Sequence, residues 1–151
     1  MIARPTTQQL LEDCARELRE DVIPVLTDAN VIVNLQMMEL VLQSCALRAG
    51  HEIAWMAEEV AAIDVYVADV AAAHVSVAPV QGALRASPAA SLHLTDRADQ
   101  YHLAGEALAQ AVEVCLAADD KPLLRRGIDL LQARRSRETE LRPNFYFPGR
   151  S

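Results

Sequence analysis

Asp99, His102 and Glu106 are the side chains whose types and spacing come nearest to a reactive or metal-binding set. Steps of three and four residues put them on one face of a helix, so one divalent cation could touch more than one of them. A di-iron bundle asks for more: two Glu-x-x-His units and further glutamates from facing helices. The sequence offers one Asp-x-x-His, and neither His51 nor His74 stands in such a unit. Solvated helix faces carry the same spacing routinely. The cluster is therefore the alternative reading: a metal- or small-molecule-binding bundle, or an enzyme, built on these three residues.

Other chemistry has less to start from. The five glycines are scattered and the one lysine, Lys121, follows an aspartate, so no Gly-rich phosphate loop exists. No Gly-x-Ser-x-Gly elbow is present. His74 lies in an Ala/Val-rich stretch and is expected to be a hydrogen-bonded packing residue. His93 falls in or beside a loop with no evident partner. No residue is assigned a catalytic role, and no cofactor is expected.

The elements that must position these residues are helical. Apolar residues make up 52% of the chain but only six residues are aromatic, so Ala, Leu and Val supply the core. No stretch alternates with a period of two. Apolar spacing predicts a first helix over 7–26, capped by Thr6 or Thr7 and kinked or ended near Ile23 by Pro24. A second starts after Asp28 and stops at Gly50 as a left-handed C-cap. A third runs over 51–77, with Trp55, Val60, Ile63, Val67, Val70 and His74 along one side. Pro79 to Ser91 reads as a long connection, either an open loop or one holding a short turn around Val80–Arg85. A fourth helix follows a cap at Thr95, with Tyr101, Gly105, Leu108, Val112 and Cys115 as its seam and Ala104, Ala107 and Ala111 allowing close approach. After Asp119-Asp120-Lys121-Pro122 comes a fifth, carrying Leu124, Ile128 and Leu131 before turning basic at Arg134, Arg135 and Arg137. The expected fold is all-α: a mostly antiparallel bundle of four main helices plus a shorter fifth, with a Pro/Gly/Ser-containing loop near 79–95. Residues 1–137 form one domain and 138–151 a basic, aromatic tail.

Charge is unevenly placed. Residues 1–120 hold six Arg against eighteen Asp and Glu, a balance of −12; residues 121–151 hold eight basic and three acidic residues, +5. An acidic body argues against nucleic-acid binding, which rests on neutralising phosphates. Cys14, Cys45 and Cys115 each fall on an apolar stripe and are expected to be buried, reduced thiols. Met1 to Pro5 leads into polar residues without a signal-like apolar block. The apolar stretch Val31–Leu47 is interrupted by Asn34, Gln36, Glu39, Gln43 and Ser44. It therefore reads as a buried helix, not a membrane span. Cytoplasmic residence is expected.

The predicted second helix is apolar on two faces. Val31, Leu35, Met38, Leu42 and Cys45 make one stripe; Val33, Met37, Leu40 and Leu47 make another. Either it is the central helix of the bundle or one stripe meets another chain. Met37, Leu40 and Leu47 are the candidate contacts there. In the tail, Arg142, Asn144, Phe145, Tyr146 and Phe147 either pin back over the bundle or insert into a partner, since aromatic and Arg side chains dominate interfaces.

A family resemblance bears on the partner. Arg4-Pro5-Thr6-Thr7-Gln8-Gln9-Leu10-Leu11, followed by Leu18-Arg19-Glu20-Asp21-Val22-Ile23-Pro24, resembles the opening of a bacterial family of small helical proteins. Members share an Arg-Pro start, a first helix ending in an acidic-Val-hydrophobic-Pro step, and a second helix ending near Gly, as Leu47-Arg48-Ala49-Gly50 does. The resemblance spans the N-terminal part of the chain. These proteins are typically encoded beside an aminoglycoside-phosphotransferase-like kinase and an acyl-CoA dehydrogenase. The implied role is an accessory subunit of a kinase acting on hydroxyacyl-CoA substrates. The expected function is a non-catalytic interaction subunit whose partner is that kinase, the dehydrogenase or a second copy of the chain.

Overall fold

The computed structural model describes residues 4–141, and within them the protein is all-α with no strands. The helices are α1 (Thr7–Glu17), α2 (Ala29–Ala73), α3 (Ala78–Ala86), α4 (Leu94–Ala117) and α5 (Lys121–Leu141). By contact the chain divides into two compact units, one holding residues up to Glu52 and those from Glu138 on, the other Ile53–Arg137.

α1 opens on a capping box. Thr6 Oγ1 accepts from Gln9 N (3.3 Å), and Gln9 Oε1 accepts from Thr6 N (2.9 Å). Helical backbone then continues past Glu17 as a π turn, Leu18–Val22, and a 3-10 turn, Ile23–Val25. Pro24 explains the change, because it has no N–H to return to the preceding turn. Ile23 N–H bonds back to Leu18 O, and at Leu26 the chain becomes extended.

Asp28 caps α2 by accepting from Asn30 N (2.9 Å) and Val31 N (3.3 Å). The expected stop at Gly50 does not occur: α2 runs unbroken for 45 residues. A mid-helix glycine costs only about 1 kcal/mol against alanine, and the Arg48–Glu52 ion pair bridges over it. A left-handed cap was not required, because helix-forming residues follow Gly50 directly. The helix ends instead at His74, whose backbone turns extended.

Of the two readings for the Pro79 region, the structure has the turn, lengthened to the nine-residue helix α3 with Pro79 in its first turn. Irregular backbone is thereby confined to residues 87–93. α4 starts one residue before Thr95, so its N-cap is His93 and Thr95 lies inside the first turn. The neighbouring loop is organised by Ser91, whose Oγ accepts from His93 N (2.9 Å) and donates to Asp96 (2.6 Å). Between α4 and α5, Asp119 takes φ 54°, the left-handed step more often given to glycine.

The core of the Ile53–Arg137 unit comprises Val60, Ile63, Tyr66, Val67 and Val70 of α2, Val77, Leu84 of α3, and Ala104, Ala107, Leu108, Ala111 and Cys115 of α4. The alanines of α4 let it approach closely, as expected. The inward stripe of α5 differs from the expected one. Ile128 and Leu131 are exposed, while Gly127 is buried and Leu123, Leu124 and Leu130 are half-buried. Gly127 decides that rotation, since it is the point where α5 passes Tyr66 and Val112.

Candidate functional site

Two places concentrate features that the fold alone does not use. The first is the hairpin of α1 and the N-terminal part of α2. Two contacts fix its antiparallel register: the Gln8 amide lies against Gly50, and Arg19 Nη1 bonds Glu39 Oε1 at 3.1 Å. Facing side chains are Leu11, Ala15 and Leu18 from the first helical segment and Ile32, Leu35, Glu39, Leu42 and Ala46 from α2, all buried or half-buried. Glu39 is accommodated there by Arg19 and by Gln43 Nε2, which donates at 2.8 Å.

On each helix, the positions one residue before the inward ones lie about 100° round the axis. In an antiparallel pair these fall on the same side of the hairpin. That side carries Leu10 (51% exposed) and Cys14 from α1, with Val31 (41%), Asn34, Met38 (54%), Val41 (48%) and Cys45 from α2. Between Asp28 and Arg48 the only charged residue of α2 is Glu39, which points inward to Arg19. Along α2 the result is an uncharged row about 21 Å long at 1.5 Å per residue, and exposed Glu17, which precedes the inward Leu18, lies on the same side with Asp21 near it. Contiguous exposed apolar surface of this kind marks an interaction site more often than an ordinary surface.

The sequence-derived candidates lie off this strip. Met37, Leu40 and Leu47 are half-buried, and Leu40 and Leu47, each one residue after the inward Glu39 and Ala46, fall on the opposite side of the hairpin. Met38 and Val41 are the more exposed pair, and sequence patterning grouped Met38 with the inward Leu35 and Leu42. Cys14 and Cys45, expected to be buried, are exposed, because nothing in the described residues covers the stripe they belong to; Cys115 is buried as expected. Arg142, Asn144, Phe145, Tyr146 and Phe147 lie outside the described residues.

α2 is also long and apolar enough to cross a membrane by length and composition, and only 11% of its most apolar window is buried. α1 bears on that reading. With the π turn that follows, it runs beside α2 carrying Glu12, Asp13, Arg16, Glu17, Arg19, Glu20 and Asp21 on its surface, and taking those charges into hydrocarbon would be costly.

The second place is the α5 end of the Ile53–Arg137 unit. There the inward stripe of α5 changes from leucine to Arg134 and Arg137. Glu59, with a side chain 10% exposed, accepts from Tyr101 Oη at 3.0 Å and lies 3.5 Å from Arg134 and 3.7 Å from Arg137. The Arg134 guanidinium stacks 4.4 Å over the Tyr101 ring; Gly105 leaves the room it needs. Arg137 lies 5.8 Å over Trp55, donates to Trp55 O at 3.2 Å and reaches Glu58 at 3.7 Å. Much of the basic charge of α5 is thus spent on the acidic faces of the same unit, which also pairs Arg126 with Asp69 at 2.8 Å.

The acid–imidazole cluster has the geometry of a solvated helix face. His102 Nε2 lies 3.3 Å from Glu106, both well exposed, and Asp99 is exposed a turn away. Among the described residues no group of three His, Cys, Asp or Glu side chains is close enough to hold a metal ion. Burial pushes the Tyr66 phenol well above its ordinary pKa, with its hydrogen bond to Cys115 Sγ (3.7 Å) adding to the shift. It is a packing group rather than an acid at neutral pH.

His74 is hydrogen-bonded, as its setting predicted: its Nε2 lies 3.0 Å from Asp120 Oδ2. Asp120 Oδ1 also accepts from Leu123 N at 3.2 Å, capping α5. These bonds, the His74 one first, hold the Asp120 carboxyl below its ordinary pKa. A folded-state pKa below the unfolded one means stability present above about pH 4 and lost as pH falls through the lowered value. Urea midpoints measured from pH 5 downward should fall more steeply for the parent chain than for Asp120→Asn, which keeps an oxygen for the cap but cannot titrate. Parallel slopes would show that the pair does not contribute.

Comparison with family models, with curated proteins and with solved structures finds no match for this chain.

Proposed function

We propose that this chain is a non-catalytic accessory subunit of the cytoplasm that docks onto a protein partner through the exposed face of the α1–α2 hairpin. The observation that carries the reading is the uncharged strip of Val31, Met38, Val41 and Cys45, bounded by Asp28 and Arg48 and extended by Leu10 and Cys14. Burying such a strip is favourable by roughly 25 cal/mol per Å² of apolar area. The charged flank on α1 supports a protein partner over a lipid one. The N-terminal resemblance supports a kinase of hydroxyacyl-CoA substrates, or the acyl-CoA dehydrogenase encoded with it, as that partner.

The test is a tagged pull-down from native cells, with light scattering on the purified chain. Recovery of the kinase or dehydrogenase in fixed proportion is the expected result. Met38→Glu should weaken that association about a hundredfold or more, because a carboxylate would be buried without a counter-charge. Helicity should be unchanged, since Met38 is half exposed. A chain that recovers neither enzyme, or a Met38→Glu variant that recovers them as well as the parent, would overturn the reading.

A further inference from the structure

We propose that the Ile53–Arg137 unit carries a binding site for a small aliphatic carboxylate, with Arg97 as the residue that takes its charge. The site lies within that one unit and does not depend on the docking surface of the hairpin.

It is a cleft of about 310 Å³ formed where α2, α3 and α4 meet. The apolar wall comes from Ala57, Val60 and Ala61 of α2 and from Leu84 of α3. Val60 and Leu84 belong to the core, so packing that the fold already needs holds the wall in place. The charged groups of the lining are Asp64, Arg85 and Arg97. Two of these cancel. Arg85 Nε donates to Asp64 Oδ1 at 3.0 Å and Arg85 Nη2 donates to Asp64 Oδ2 at 3.3 Å, a forked and exposed pair.

Arg97 is the charge left over. Arg85, Arg126, Arg134 and Arg137 of the same unit each face a carboxylate, whereas half-buried Arg97 makes no ion pair among the described residues. Its Nη1 donates to Gln100 Oε1 at a long 3.4 Å, and its Nε is enclosed without a hydrogen-bond partner. A cation partly withdrawn from water and a buried donor with no acceptor are both costly. A carboxylate bridging Nε and a terminal nitrogen would offset both, after a small rotation of a flexible side chain.

Charge and volume define the ligand class. One uncompensated positive charge suits a monoanion better than a phosphate dianion, and the planar guanidinium fork matches a carboxylate. The volume is near the lower end for small-molecule sites. At roughly 30 Å³ for each water-sized group, it holds about ten of them. That fits a carboxylate with a short apolar chain and is too small for a nucleotide.

Octanoate, with octanol as the neutral control of equal chain length, tests the site on the full ¹⁵N-labelled chain by NMR. Octanoate should saturate with a Kd on the order of 1 mM or tighter. It should move the Arg97 Nε–H signal together with the amides of Ala57 and Ala61. Octanol should bind at least about tenfold more weakly, since it lacks the charge-assisted bonds. Arg97→Gln should weaken octanoate by a similar factor and leave octanol unchanged. Ala61→Leu keeps Arg97 but fills the cleft at an exposed helix position, and it should weaken both probes. This second variant tests the proposal even where Arg97→Gln is impaired in folding. Equal affinity for the two probes would overturn the proposal, as would octanoate shifts that omit Arg97 Nε–H or do not saturate by about 10 mM. Parent-like octanoate binding in either folded variant would overturn it too. Failure to capture a kinase or dehydrogenase would leave these titrations untouched, so the two readings fail separately.

Discussion

Gly127→Val is expected to destabilise the Ile53–Arg137 unit by about 3 kcal/mol, the upper range for overpacking a filled core. A Cβ at this position would lie 2.5 Å from Val112 Cγ2, 2.9 Å from Tyr66 Cζ and closer still to the phenolic oxygen. Neither neighbour can step aside. Tyr66 is 1% exposed and its hydroxyl bonds Cys115, and Val112 is packed against the same core. α5 must therefore move outward, opening contacts along Leu123, Leu124 and Leu130. Trp55, the one tryptophan, lies in this unit and reports its unfolding in urea. Gly127→Ala should cost less, because better helix propensity offsets part of the clash. Adding Tyr66→Phe should recover part of that cost, which a double-mutant cycle would read as favourable coupling. Gly50→Ala is the contrast: the atoms it would crowd belong to the tip of the Gln8 side chain, which can swing away. It should stabilise the hairpin by about 0.5–1 kcal/mol. A tolerated Gly127→Val would mean that α5 does not pack against Tyr66 as described.

Removing Glu59 should have the next largest effect, a loss of about 2–3 kcal/mol for Glu59→Ala. The carboxylate is nearly buried, accepts from Tyr101 and sits between Arg134 and Arg137, which are 25% and 33% exposed. Deleting one member of such a group takes a partner from each of the others, and that penalty exceeds the net worth of the pairs themselves. Because both guanidiniums retain some access to water, the cost stays below that of a fully buried pair. Glu59→Gln keeps an acceptor for Tyr101 and should lose about 1 kcal/mol. Arg137 stacks over Trp55, so native-state tryptophan emission should change together with the thermal midpoint. An unchanged midpoint in Glu59→Ala would show that the α5 arginines are held by solvent and not by this carboxylate.

Much of the fold was legible in the residues because helices follow local rules. The 3.6-residue recurrence of apolar side chains, the cap at Thr6, the helix start after Asp28, the boundary at residues 119–122 and the break at Pro24 all act within one or two turns and correspond to observed features, whereas the cap read at Thr95 falls on His93. The stop assigned to Gly50 failed for a related reason. Glycine permits a left-handed cap without requiring one, and the residues on both sides favoured continuing the helix. The turn at Ala78–Ala86 and the outward rotation of Ile128 were harder to read, since each depends on what the segment packs against.

The candidate surface divides in the same way. The sequence by itself determined that the α2 segment is apolar on two faces, that the basic charge gathers after residue 120, and that the described residues form an all-α fold. Composition and periodicity are properties of the chain, and hydrophobic burial acts on them wherever they occur. Only the tertiary structure decided which face α1 covers, leaving Met38, Val41, Cys14 and Cys45 outside and turning Glu39 toward Arg19. Tertiary structure likewise set Arg134 and Arg137 against Glu59, Tyr101 and Trp55. The physical reason is that a helix with two apolar faces has two nearly equal ways to pack. The choice between them depends on volumes and charges contributed by residues twenty or more positions away.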